Sequence, residues 1–182
     1  MGHKGVDAMD KNVNDADLRL IQAAQTALRN AYAPYSGFAV GAAVRTRSKN
    51  VYIGSNLENA SFGMTVCAEM AAIAAANSAD DFDIEAIAIC GIKFHPRQEL
   101  TGIATPCGRC RQLIFEASQI SKEDIRVLSC SGDLKEIFEA RISELLPAAF
   151  GPANLGLDHE WPAMRDGLRA FIATVKASVA RK

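Results

Sequence analysis

The chain lacks a long apolar run, and this absence already excludes one class of protein. No stretch reaches the roughly eighteen consecutive apolar residues that a membrane-spanning helix needs. Residues 1–17 are polar and lack the apolar core of a secretory signal. We therefore expect a cytoplasmic protein that does not act at a membrane.

An excess of positive charge is also missing. The chain has 20 Lys and Arg against 21 Asp and Glu, which gives a net charge of −1. Proteins that bind nucleic-acid polymers usually present a basic stripe, whereas acids and bases are interspersed here. A small-molecule substrate is the better expectation.

The chain also lacks an even number of cysteines, since it contains five. They are Cys67, Cys90, Cys107, Cys110 and Cys130. An odd number in a reducing compartment argues against a disulfide framework and favours metal or redox chemistry.

The apolar pattern predicts an α/β fold over most of the 182 residues. Asn14 or Asp15 is a plausible cap for the first helix. The polar turn from Arg47 to Asn50 predicts a hairpin between the first two strands, and the run from Ile84 to Ile92 predicts a strand buried on both faces. Helices are expected at about 15–31, 65–77, 106–118, 133–145 and 161–179, and strands at 38–46, 51–55, 84–92 and 125–130. Alternating strands and helices predict a three-layer α-β-α sandwich with a mixed central sheet.

Three cysteines fall at predicted helix starts. Cys107 and Cys110 are three residues apart, so they face the same way on a first helical turn, with Pro106 in that turn. Cys67 lies at the start of another helix. Helix N-termini favour thiolate over thiol. Three converging thiolates would hold zinc and leave a fourth position for water, which is the catalytic type of zinc site.

Glu69 follows the first of these cysteines by two positions. A carboxylate beside a zinc-bound water can accept a proton from it and deliver that proton to a leaving nitrogen. Cysteine and glutamate in this arrangement match the known signature of zinc nucleobase deaminases, including the three-cysteine variant.

Two other interpretations of the cysteines stay open at this point. A Cys-x-x-Cys motif near alternating strands and helices is also typical of thiol redox proteins. A structural zinc site would need a fourth ligand, for which Cys90 or His95 is available. Cys90 and Cys130 fit better as small buried apolar residues, and we expect His3, His95 and His159 to be solvated.

Four segments of the chain resemble, in order, the successive motifs of homotetrameric cytidine deaminases. They are AYAPYSGFAVGAAV, NLENASFGMTVCAE, TPCGRCRQ and LLPAAFGP. The resemblance extends over about residues 18–155. With the small, polar and aperiodic residues 1–14 expected to be disordered, it implies a catalytic domain at 15–155 and leaves a helical extension at 156–182.

The resemblance also implies roles for individual residues. Cys67, Cys107 and Cys110 correspond to the ligands of one Zn²⁺ per chain, and Glu69 corresponds to the proton shuttle. Asn56 and Glu58 would hold the ribose hydroxyls, although a turn-forming polar loop is the simpler interpretation of those residues alone. The remaining implied substrate contacts are the Phe38 ring near the base, the Ala68 backbone on the pyrimidine, and Phe150 reaching into a neighbouring subunit's site.

A homotetramer with shared active sites follows from the resemblance, with Tyr35 at a subunit contact. The implied reaction is hydrolysis of cytidine or deoxycytidine to uridine or deoxyuridine, with release of ammonia, as in pyrimidine salvage. The substrate is a free nucleoside rather than a nucleic-acid polymer.

Two departures from the family pattern keep a second substrate class open. Met70 replaces an arginine that often follows the catalytic glutamate and softens the charge of the thiolates; Arg111 or the helix ends could compensate. The loop between Ile92 and Thr105 is longer than usual. Another aminopyrimidine nucleoside, such as a modified cytidine or a blasticidin-type antibiotic, is therefore the alternative substrate.

Overall fold

A five-stranded mixed sheet forms the centre of the protein. A computed structural model describes residues 13–95, 102–157 and 160–179. The strands are β1 (Phe38–Thr46), β2 (Val51–Ser55), β3 (Ile84–Lys93), β4 (Arg126–Cys130) and β5 (Ile137–Arg141). Their order is β2-β1-β3-β4-β5. Only β3 and β4 run parallel, and the predicted hairpin of β1 and β2 is confirmed.

Helices cover both faces of this sheet, which confirms the predicted three-layer sandwich. On one face, α1 (Asp15–Ala27) packs through Leu20, Ile21 and Ala24 against inward-facing residues of β1, β3 and β4. On the other, α2 (Ala68–Ser78) and α3 (Gly108–Ser121) bury Ile73 and Ile114. The strands β1, β3 and β4 therefore alternate their side chains between two apolar cores, as the two-residue period of a strand requires.

The helix starts that carry the cysteines lie close to the sheet. Cys67 is the N-cap of α2 and Cys107 is the N-cap of α3, both with extended backbone. Gly54 of β2 permits the close approach of α2, because a Cβ atom there would lie 2.4 Å from the carbonyl oxygen of Ala68. Because α2 and α3 pack into the same apolar core, both helix starts lie on the same face of the sheet.

The helix predicted at 133–145 is wrong. That stretch forms β5 and a short helix, α4 (Ile142–Leu145). The backbone N–H of Ser131 donates to the carbonyl of Glu136 at 3.0 Å and closes a turn, after which β5 pairs antiparallel with β4. Ile137 and Ala140 are buried whereas Phe138 is 37% exposed, so pairing at the sheet edge overrides the local preference for helix.

Other boundaries shift by a few residues. The first helix is capped by Asn14 and continues beyond Ala27 as a 3₁₀ turn to Asn30. The second begins at Ala68, because Phe62–Met64 form a separate 3₁₀ turn. The third begins at Gly108, so Pro106 precedes the cap instead of lying in the first turn.

The chain divides into two units, the second of which begins at Phe150. It contains a 3₁₀ turn at Pro152–Leu155 and the helix α5 (Trp161–Val179), as predicted. Exposed apolar side chains recur along α5 at Met164, Leu168 and Phe171, which fits an amphipathic helix. The boundaries 15–155 and 156–182 remain predictions, and most of the segment 1–14 lies outside the described residues.

No helix among residues 13–95, 102–157 and 160–179 combines the length and apolar character needed to cross a bilayer.

Candidate functional site

Three cysteine sulfurs meet where α2 and α3 begin. The Sγ atoms of Cys67, Cys107 and Cys110 all lie within 4.8 Å of one another. The thiol of Cys107 donates to the sulfur of Cys110 at 3.6 Å. Cys110 is fully buried, Cys67 is partly buried and Cys107 is exposed, so the cluster lies at the boundary between core and solvent.

The pKa values of Cys67 and Cys110 are shifted in opposite directions. A hydrogen bond from Cys110 lowers the pKa of Cys67 to about 7, assisted by the Cys107 thiol and the charge of Arg109 and opposed by burial and Glu69. The hydrogen bond to Cys67 and burial together raise the pKa of Cys110 far above its ordinary value. Of this pair, Cys67 therefore gives up its proton more readily, and a bound cation would favour the thiolate form of its ligands.

Zinc fits this donor set. A Zn–S distance of about 2.3 Å with tetrahedral angles places sulfurs roughly 3.8 Å apart, close to the 3.6 Å between Cys107 and Cys110. Two of the donors are N-caps, where the helix dipoles favour negative sulfur. Thiolate ligands are typical of zinc and iron–sulfur sites and unsuited to Mg²⁺ or Ca²⁺.

The candidates for a fourth protein ligand lie elsewhere. Cys90 and Cys130 are paired neighbours on β3 and β4, and both are buried in the core that faces α1. Burial raises the pKa of Cys90 to about 11 and that of Cys130 to about 12, which keeps them as inert thiols. His95 is exposed, and His3 and His159 lie outside the described residues. Among the described residues, the metal-binding group contains only the three site cysteines.

Glu69 occupies the first turn of α2 and is 4% exposed. Burial raises the pKa of its carboxyl group above the ordinary value, although hydrogen bonds from its own backbone and from Cys110 act the other way. A carboxyl group with a raised pKa is suited to both accepting and returning a proton.

A cavity of about 430 Å³ opens beside the cysteines. Its lining includes seven predicted site residues: Phe38, Asn56, Glu58, Cys67, Ala68, Glu69 and Cys107. Cys110 belongs to the site through its sulfur contacts. Phe150 lies in the second unit and is 61% exposed, so its predicted role stays a prediction.

Asn56 and Glu58 face the cavity through side chains that are already held in place. The amide of Asn56 accepts from the N–H of Val40 at 2.9 Å and donates to the carbonyl of Phe38 at 3.0 Å. Oε2 of Glu58 accepts from the N–H groups of Tyr35 and Ser36 at 2.9 and 3.2 Å. Burial raises the pKa of Glu58, but these hydrogen bonds and the Ser36 hydroxyl outweigh it and lower the pKa overall.

Several further residues of the cavity were not predicted. Val40 and Ile89 reach it from β1 and β3, and the rest come from loops: Ser36, Thr65, Ala104 and Thr105. Strand alternation could have indicated Val40, since it lies two positions from Phe38. Loop residues have no such periodicity, so nothing in the sequence indicated that these four line the cavity.

Arg109 was also missed, although it lies between two of the ligands. Its guanidinium donates to the carbonyl of Thr65 at 3.3 Å, which links the start of α3 to the segment before Cys67. The guanidinium of Arg111 donates instead to the carbonyls of Pro106 and Leu145. Arg109 is therefore the cation whose charge lowers the pKa of Cys67.

Known proteins share this sequence and this fold. Residues 14–123 match the family model described as cytidine and deoxycytidylate deaminase zinc-binding region. A cytidine deaminase of Halalkalibacterium halodurans is 41% identical over 133 residues, which are 72% of this chain and 91% of that protein. A cytidine deaminase of Mycobacterium tuberculosis is 34% identical over 145 residues, covering 78% of this chain and 95% of the relative.

Crystal structures of cytidine deaminases share the fold of this chain. The cytidine deaminase of Burkholderia pseudomallei superimposes with a TM-score of 0.63 at 37% identity, over 73% of this chain and 98% of that one. The Mycobacterium tuberculosis enzyme gives a TM-score of 0.58 at 34% identity, over 74% of this chain and 96% of that one.

Proposed function

Since the chain belongs to the family with the cytidine and deoxycytidylate deaminase zinc-binding region, we propose that it hydrolyses cytidine and deoxycytidine to uridine and deoxyuridine with release of ammonia. The observation that carries this proposal is the convergence of three cysteine sulfurs with a buried carboxylate, Glu69, at one cavity. Pyrimidine salvage in the cytoplasm, where thiols stay reduced, is part of the proposal.

The cysteines and Glu69 divide the chemistry between them. Zinc, held by Cys67, Cys107 and Cys110, activates water as the nucleophile when it is bound. Glu69 takes a proton from the attacking water and passes it to N3 as the C–O bond forms at C4. Glu69 then transfers a second proton from the new hydroxyl to the amino nitrogen, the C4–N bond breaks, and ammonia leaves.

Binding of the nucleoside falls to the remaining lining residues. The Glu58 carboxylate and the Asn56 amide supply acceptors and donors for the ribose hydroxyls, and the hydrogen bonds to β1 and to Tyr35 and Ser36 keep both in place. Phe38 supplies an apolar surface for the base. Ala68 is the first residue of α2, a position whose backbone N–H has no partner within the helix and can serve the pyrimidine.

A homotetramer with shared active sites completes the proposal. Tyr35, Phe62 and Met64 are 51%, 74% and 68% exposed. Tyr35 and Phe62 line a second hollow with Ser36, Glu58 and Thr65, and their rings meet edge to face with centroids 5.8 Å apart. An exposed apolar group of this kind marks an interaction surface. In this arrangement, Phe150 of one subunit would reach the site of another, and light scattering of the purified protein measures the subunit number.

Zinc content measured together with cytidine turnover tests the function. We expect about one zinc per chain and loss of cytidine absorbance in the ultraviolet with release of ammonia. Zinc without turnover of any nucleoside would support a structural zinc protein, and a reversible Cys107–Cys110 disulfide without zinc would support a thiol redox protein. Strong preference for blasticidin S over cytidine and deoxycytidine would move the proposal to the alternative substrate class.

A further inference from the structure

Gly91 on β3 lies directly against the ring that faces the cavity. Gly91 pairs with Val40 across β1 and β3, and Phe38 is the diagonal neighbour two residues earlier. A Cβ atom at position 91 would lie 2.8 Å from both Cε1 and Cζ of Phe38 and 2.9 Å from Cβ of Ala104. The Phe38 ring therefore occupies the space that a side chain at position 91 would take.

Phe38 and Ala104 both line the cavity, so any group added at Gly91 acts on the cavity through them. Ala104 has only a methyl side chain and cannot turn aside, whereas an aromatic ring can rotate about its side-chain bonds. Rotation of the Phe38 ring relieves the two closest contacts, and the contact with Ala104 needs in addition a small shift of the Ala104 backbone.

The backbone of Phe38 has little freedom to move with its ring. Its carbonyl accepts from the amide of Asn56 at 3.0 Å, and its N–H donates to the Ser36 hydroxyl at 3.0 Å. Val40, two residues on, donates its N–H to the same Asn56 side chain. A group at position 91 would thus turn the ring rather than shift the strand.

We propose that Gly91 is a specificity-determining residue, because its missing side chain seats the Phe38 ring against β3 and so sets the width of the base-binding part of the cavity. The inference rests on the proposed function, in which Phe38 packs near the pyrimidine. A ring turned into the cavity takes room from the base. A pyrimidine with an additional C5 methyl group needs more room, so its binding is weakened more than that of cytidine.

A double-mutant cycle of Gly91→Ala and Phe38→Ala tests this role. In the native background, we expect Gly91→Ala to raise KM for cytidine about three- to tenfold and KM for 5-methylcytidine further, with a smaller change in kcat. In the Phe38→Ala background, the same change should alter KM less than about twofold, because coupled residues are not additive. Gly167→Ala is the matched control, since a Cβ atom there meets nothing within 4 Å, and native kinetics are expected.

An unchanged KM in Gly91→Ala, or an equal penalty with and without the Phe38 ring, would overturn the proposal. If Gly91→Ala fails to fold, the cycle is repeated with Ala104→Gly added to every variant, so that the Phe38 ring is the contact that remains. In that background Gly91→Ala with Phe38→Ala should fold, and its failure also overturns the proposal. Crystal structures of the native protein and Gly91→Ala give a readout that needs no turnover. An unmoved Phe38 ring contradicts the role of Gly91, whereas a native protein that converts neither nucleoside contradicts the proposed function alone.

Discussion

The buried carboxylate of Asp17 on α1 accepts a hydrogen bond at 3.0 Å from Arg126 at the start of β4. Asp17 is completely inaccessible to solvent and also accepts from Arg45 of β1 at 3.0 Å. Burial raises its pKa, but the N–H of Asn14 and the two guanidinium groups outweigh that effect and lower the pKa overall. One carboxylate on α1 thus connects the helix to two strands of the sheet.

Asp17→Ala should destabilise the protein, because it leaves two largely buried cations without their shared partner. Arg45 and Arg126 keep Glu85 and Glu139 as second partners, so we expect a loss of about 2–4 kcal/mol in the free energy of unfolding. Urea denaturation measures it. Asp83→Ala removes a pair with Arg47 in which both side chains are about half exposed and should cost less than about 1 kcal/mol. Equal losses in the two variants would contradict this account of Asp17.

The carboxylate of Asp81 contributes to the dependence of the unfolding free energy on pH in acid. Oδ2 of Asp81 accepts from the side chains of Thr46, Ser48, Asn50 and Tyr52. These bonds, led by that of Ser48, lower the pKa of Asp81 from 3.8 to about 2. Because the folded-state pKa lies below the unfolded value, the stabilisation is essentially complete above about pH 5 and is lost as the pH falls through 4 toward 2.

Asp81→Asn should therefore flatten the dependence of unfolding free energy on pH between 4 and 2. Urea titrations across this range measure the slope for both proteins. Asp166→Asn, an exposed carboxylate on α5, controls for the loss of one negative charge. A native slope retained in Asp81→Asn would refute the assignment.

Arg109→Ala should weaken the hold of the site on zinc. The variant removes a positive charge beside Cys67 and the bond to the Thr65 carbonyl. We expect zinc to pass to a chelator about tenfold faster, at the low end of effects for groups that support metal ligands because Arg109 is exposed. Arg109→Lys keeps the charge and should recover part of the loss, whereas native release rates in the alanine variant would exclude this role.

Glu58→Gln should impair nucleoside binding more than chemistry. A glutamine presents one acceptor oxygen and a donor group in place of a carboxylate that accepts from Tyr35 and Ser36. Hydrogen bonds to a charged group are worth about 1.5–3 kcal/mol, so kcat/KM for cytidine should fall roughly 10- to 100-fold, mainly through KM. Glu116→Gln, on α3 outside the described lining of the cavity, is the control. A fall confined to kcat would contradict a role in binding.

The metal cluster could be predicted from the sequence because two independent signals, the positions of the cysteines and the predicted helix starts, coincide there. Cys67 and Cys107 are the N-caps of α2 and α3, and Cys110 lies in the first turn of α3 on the same side as Cys107. The central strands were equally readable, since β3 is a nearly continuous apolar run.

Features that depend on tertiary contacts could not be predicted from the sequence. The stretch at 133–145 has helix-forming residues, and only pairing with β4 makes part of it a strand. The direction of the Arg109 side chain depends on how α2 and α3 meet. Gly91 likewise looks like one more small residue of a buried strand until the Phe38 ring is placed against it.

The most direct measurement is zinc content and cytidine turnover of Glu69→Gln. The carboxylate lies beside the cysteines in the cavity without being one of the sulfur donors. We expect the variant to keep about one zinc per chain while kcat falls by at least about a hundredfold, since general acid–base groups contribute that much or more. Turnover at a near-native rate with zinc retained would contradict the central role given to Glu69.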